Sequence, residues 1–149
     1  MFRRASVVLL ALAFAVPMTA CLGRIRLEQP LPPEFGDLAG IKQIEVVDSS
    51  GQVLLKGTFN TPSGSTDSLE RTAELMRPDG KEAAGTAAID IDRKDGVSEE
   101  EIVIRAEDLP YPASCKVTVD GREIAMFSTT QDGKIELRLW RRTTNGQTR

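Results

Sequence analysis

The sequence contains no histidine, and this absence excludes several kinds of chemistry. Without an imidazole there is no Ser-His-Asp or Cys-His arrangement, no imidazole metal ligand and no usual general base. The nucleophile motif Ser-x-x-Lys is also missing, because no lysine has a serine three positions before it. We therefore expect a protein that is not an enzyme and that uses no cofactor.

Cysteine and the large aromatic residues are nearly as scarce: the chain has two cysteines, one tryptophan and one tyrosine. Cys115 shares strand parity with Val117 and Val119, so we interpret it as a core residue, since a buried free cysteine behaves as a small hydrophobe. If Cys21 is used for something other than a disulfide, Cys115 has no cysteine to pair with. The domain then depends on its apolar core alone.

Long apolar runs are absent except at residues 7–16, which follow Arg3 and Arg4 and end at Pro17. A positive start, a short apolar run and small residues are the layout of a secretory signal peptide. Ten apolar residues are too few to cross a bilayer core, which needs roughly 20 in a helix. We therefore predict a signal peptide over residues 1–20.

The residues "MTAC", 18–21, resemble the lipobox of bacterial lipoproteins. That resemblance implies a diacylglycerol on the Cys21 sulfur, an acylated amino terminus and a bilayer as partner. Leu22 after the cysteine, in place of aspartate, implies sorting to the outer membrane, facing the periplasm or the exterior. The departure from the family pattern is Met18, where leucine is commonest. The alternative is a conventional secreted protein with a chance cysteine.

Charge argues against a nucleic-acid partner. The whole chain has a formal net charge of −3, and Arg3 and Arg4 are the only charged residues of the predicted signal peptide, so the remainder is more acidic still. The only basic cluster is "RLWRR", 138–142, which we interpret as a solvated strand end and not a phosphate site.

Residues 21–40 are predicted to be a lipid anchor and proline-containing tether, because Pro30, Pro32 and Pro33 favour an extended path and remove backbone donors. The alternative is that part of this segment packs back as a first strand, since "RIRLE" alternates. We expect the folded domain over residues 41–142 and a polar C-terminal tail over residues 143–149.

From residue 41 onward, apolar and polar residues alternate in short segments separated by Gly and Asp turns, with Asp120-Gly121 a strong hairpin signal. Seven or eight such strands predict an all-β fold, a single antiparallel β-sandwich of the immunoglobulin-like kind. A small closed barrel is the alternative. The segment "STDSLERTAELM", 65–76, is expected to be a crossover with one or two helical turns.

The segment "EIVIRAEDLPYPASCKVTVDG", 101–121, resembles the E-strand, loop and F-strand of fibronectin type III and related immunoglobulin-like domains. The shared pattern is a Leu that closes one strand, a Pro-containing loop and alternating apolar residues. The family's tyrosine commonly stands six residues after that Leu; here Cys115 occupies the place, so the tyrosine corner is lost.

"DIDRKDG" offers the best candidate metal ligands: Asp90, Asp92 and Asp95. Calcium prefers several carboxylate oxygens, and D-x-D spacing puts two on one strand face, although the third Asp is displaced from the EF-hand pattern. The alternative is an outward acidic strand edge that deters aggregation. A hydrolase that uses carboxylates also remains an alternative, because two carboxylates can catalyse hydrolysis without a histidine.

Trp140 and Arg138 form a candidate contact surface. Trp140 stands on the strand face opposite Ile135, Leu137 and Leu139, and a Trp in a polar row often marks an interface. The alternative is a structural role, in which Trp140 covers the end of the sandwich against the tether. The sequence thus predicts an anchored envelope lipoprotein whose non-catalytic module binds or scaffolds an envelope protein or polymer; a calcium-binding domain or hydrolase is the alternative.

Overall fold

A computed structural model of the protein describes residues 25–144 and 147–148; Cys21 and the predicted signal peptide lie outside them. The described chain is built from strands and one short 3-10 helix, Leu38–Gly40. The strands are β1 Ile25–Pro30, β2 Gln43–Asp48, β3 Val53–Thr58, β4 Ser63–Gly64, β5 Ser68–Met76, β6 Ala83–Lys94, β7 Val97–Ala106, β8 Ser114–Val119, β9 Arg122–Ser128, β10 Ile135–Thr144 and β11 Gln147–Thr148. None of the described residues belongs to a helix with the length and apolar character that crossing a membrane requires.

All of these strands belong to one hydrogen-bonded sheet, in the order β1-β10-β7-β6-β5-β3-β2-β8-β9, with β4 beside β5 and β11 beside β10. The pairing of β1 with β10 is parallel and the others are antiparallel. The all-β prediction is therefore confirmed. The antiparallel sandwich of seven or eight strands is not confirmed, because the sheet is continuous and mixed.

The sheet curves until its two edge strands approach each other, and its shape is nearly that of a barrel. The Gln29 side-chain amide of β1 donates to the Met126 carbonyl of β9 at 3.4 Å. Alternate residues of the long strands point inward and form one apolar cluster, in which Ile89, Ile102 and Leu137 are fully buried. This period-two pattern is the one the sequence showed.

Residues 31–41 fold into one end of the curved sheet, so the prediction of a flexible tether over 21–40 is wrong from residue 25 onward. Leu31, Phe35 and Leu38 are buried in the core. Their burial outweighs the extended preference of the prolines. The alternative of a first strand holds for Ile25–Pro30.

Two local predictions have clear outcomes. Asp120 and Gly121, with φ of 46° and 80°, form the predicted two-residue hairpin between β8 and β9. Positive φ at both positions is what such a turn needs. In contrast, residues 68–76 are the strand β5 and not a crossover helix. Its inward side includes Arg71, which donates to the Asn60 carbonyl at 2.9 Å and to backbone carbonyls of the 31–41 segment.

Candidate functional site

The outer face of β10, β7 and β6 carries a shallow depression of about 510 Å³. Strand register brings its side chains together: Trp140 stands opposite Glu101, Glu101 opposite Asp90, and Asp90 opposite Glu70 of β5. The neighbouring row continues with Arg142, Glu99 and Asp92. Ten residues border it, and Arg141 and Glu100 among them have inward-pointing, nearly buried side chains. They are one tryptophan, three arginines and six acidic residues: Trp140, Arg138, Arg141, Arg142, Glu28, Asp90, Asp92, Glu99, Glu100 and Glu101.

Arg138 is held in place by carboxylates. Its guanidinium makes a two-pronged contact with Glu101, one arm of which is a 2.9 Å hydrogen bond, and lies 3.9 Å from Glu28. The hydrogen bond and the charge of Glu101 raise the pKa of Arg138. A cation fixed in this way keeps its geometry but offers little free charge to a ligand.

The β6 side of the depression is electrically negative. Burial raises the pKa of the Asp90 carboxyl, and the charges of Glu70, Glu101 and Asp92 raise it further. No ion pair within the described residues involves Asp90 or Asp92. Arg138 and Arg142 pair with carboxylates of β7, so the excess negative charge lies on β6 and β5.

Trp140 presents an apolar surface beside these carboxylates, and 43% of the residue is exposed. It lies between Pro30 on β1 and Glu101 on β7. An indole face attracts cations and packs flat groups, and its N–H seeks an acceptor. The structure therefore joins the two predicted contact residues, Trp140 and Arg138, to two of the predicted metal ligands, Asp90 and Asp92.

The third predicted ligand, Asp95, lies apart from the other two. It occupies the β6–β7 turn with φ of 52°, whereas Asp90 and Asp92 lie on the strand's outer face. In the part of the chain that the structure describes, no group of three or more His, Cys, Asp or Glu side chains is arranged to hold a metal ion. The calcium hypothesis gains no support from this geometry.

Cys115 is a free cysteine, 1% exposed, in the core. Burial raises the pKa of its thiol, and the charge of Asp48 acts in the same direction. A thiol of raised pKa in apolar surroundings is inert, which agrees with the core interpretation. The predicted lipidation site, Cys21, lies outside the described residues.

The sequence did not reveal Glu70 and Glu101 as neighbours of Asp90. Strand parity predicts that each side chain points outward, but only the pairing of β5, β6 and β7 puts them in one row. With the geometry in hand, we compared the chain with family models, curated proteins and solved structures, and nothing matched.

Proposed function

We propose that this protein is a lipid-anchored lipoprotein of the bacterial envelope, acylated at Cys21, whose sheet domain binds a partner without catalysis. The partner is an envelope protein or polymer, and the membrane is the outer one. The observation that carries the binding role is a half-exposed Trp140 set in a 510 Å³ depression among fixed charges. Exposed aromatic side chains in such settings are typical binding anchors.

The non-catalytic part of the proposal is supported by chemistry. The chain has no histidine, and its remaining cysteine is buried with a raised pKa. The carboxylates of the depression include Glu99 and Glu101, which are engaged by Arg142 and Arg138. A carboxylate already engaged by a guanidinium has fewer oxygen lone pairs left for a substrate.

The anchor is tested by the intact mass of membrane-extracted protein beside a Cys21→Ser variant. A mass equal to residues 21–149 plus acyl chains, absent from the variant, is the expected result. An unacylated mature protein in the soluble fraction would contradict it. Fractionation of the two membranes then tests the outer-membrane assignment.

The binding surface is tested with three purified proteins immobilised against solubilised envelope: wild type, Trp140→Ala and Tyr111→Ala. Tyr111 is the matched control, an exposed aromatic residue in a loop outside the depression. We expect a protein or polymer that wild type and Tyr111→Ala retain and Trp140→Ala loses. Equal retention by all three would place binding elsewhere.

A further inference from the structure

Ile25 is the first residue of β1, only four residues after Cys21. Four residues span at most about 14 Å, even when fully extended. If Cys21 is acylated, as proposed above, the start of β1 is therefore held close to the lipid surface. Within the sheet, Ile25 of β1 pairs with Ile135 of β10, and Ile135 pairs in turn with Ala106 of β7. The same end of the sheet thus contains the end of β7 and the start of β10.

Two of the connections at this end, residues 107–113 and 129–134, are fastened together. The Leu109 N–H donates to the Gly133 carbonyl at 3.0 Å, and the Ala113 N–H donates to the Thr129 hydroxyl at 2.9 Å. Tyr111, 55% exposed, is carried by the first loop. We call this end, with Ile25 and the two loops, the proximal end.

We propose that the proximal end rests against the lipid surface, with Tyr111 and Ile25 at headgroup level and the Trp140 depression turned away from the bilayer. The inference depends on acylation of Cys21 in the proposed function. Both side chains are among the large apolar ones exposed in the described chain. A tyrosine suits the interface, because its ring is apolar and its hydroxyl is polar.

The charges of the proximal end favour a zwitterionic surface. Arg77 lies 3.4 Å from Asp108, and Lys134 lies 3.9 Å from Glu107, so both cations already face acids of the same loop. Asp132 adds a further negative charge. The two loops together carry three acids and one lysine, and we therefore expect contact with neutral phospholipids.

The depression lies farther from the anchor. Along β1, Pro30 pairs with Trp140, whereas Ile25 pairs with Ile135. Five residues of strand extend over about 16 Å. Trp140 is therefore separated from the proximal end by half the length of β10, and a partner reaches it from the aqueous side.

The single tryptophan provides the test. The full acylated chain is placed in phosphatidylcholine vesicles whose acyl chains carry bromine near the headgroup, as wild type and as a Tyr111→Trp, Trp140→Phe variant. We expect bromine to lower the emission from the indole at position 111 by roughly half, because interfacial aromatic rings sit at that depth. Emission from Trp140 in the wild type should stay unchanged.

The intact mass of each sample separates the two proposals. Full acyl mass with no quenching at position 111, or with quenching at Trp140, overturns the orientation and leaves the anchor standing. Absence of the acyl mass overturns both. Should the first variant fail to fold by circular dichroism, Ile25→Trp with Trp140→Phe replaces it, and the same quenching is expected.

Discussion

The guanidinium of Arg141 fastens the 31–41 segment into the end of the sheet, and we expect the Arg141→Met substitution to destabilise the fold strongly. Arg141 points inward from β10 and donates to the Phe35 carbonyl, to the Gly36 carbonyl at 3.0 Å and to Glu100 at 2.7 Å. The side chains of Arg141 and Glu100 are 11% and 9% exposed.

Removing one partner of such a pair lowers the free energy of unfolding by about 3–5 kcal/mol, because the other charge stays buried without compensation. Each backbone carbonyl that loses its donor adds roughly 1 kcal/mol where water cannot replace it. Replacing Glu100 as well, in Arg141→Met with Glu100→Met, removes the stranded charge. We expect that double variant to recover most of the loss and to remain about 1–2 kcal/mol below wild type.

Urea unfolding followed by far-UV circular dichroism measures these differences through the midpoint and slope. Arg142→Met is the matched control, because Arg142 is the next residue on β10, its side chain is 57% exposed and its Glu99 partner lies 3.4 Å away. An exposed pair of this kind contributes about 0–1 kcal/mol. Equal effects of the two substitutions would refute the assignment of Arg141 as the residue that holds the segment.

Three further outcomes follow from the charges. Asp90→Asn should raise the melting temperature at pH 7, because the pKa of Asp90 is raised in the folded state and its charged form is therefore unfavourable there. The gain in melting temperature should vanish as the pH falls below the ordinary pKa of 3.8. A gain that persists in acid would mean that the substitution acts through packing. Glu136→Gln should lower the melting temperature at pH 7, because the hydrogen bond with Arg105 lowers the pKa of Glu136 in the folded state. This loss of stability should shrink as the pH falls below the ordinary pKa of 4.5. A loss that does not depend on pH would contradict the assignment. Millimolar calcium should leave the melting temperature unchanged, whereas a rise would restore the calcium hypothesis.

Alternation predicted most of the strands, because a half-buried strand needs apolar residues every second position. Trp140 was expected on the face opposite Leu137 and Leu139, and it lies there. β5 was missed because Arg71 occupies an inward position: its guanidinium satisfies carbonyls of the 31–41 segment, so a charge stands where the pattern expects an apolar residue. A single sequence gives no sign of such a long-range partner.

The candidate site could be predicted in part for a similar reason. Outward-facing Asp90, Asp92 and Trp140 follow from parity within each strand. Their assembly into one depression follows from the register of β10, β7 and β6, whose paired residues are about ten to forty positions apart along the chain. Pairing at that distance is decided by the whole curved sheet and by the apolar core inside it.

The fate of the proline-containing segment changes what an anchored domain can reach. Some 19 extended residues after Cys21 would let the domain move roughly 60 Å from the bilayer. With β1 beginning at Ile25, the link shortens to about 14 Å, and Trp140 lies about 16 Å beyond it along the strand direction. If Cys21 is acylated as proposed, a partner of the depression must come within about 30 Å of the lipid surface. Lengthening the link by inserted residues before Ile25 should extend that reach without altering the fold, because β1 contributes no fully buried side chain.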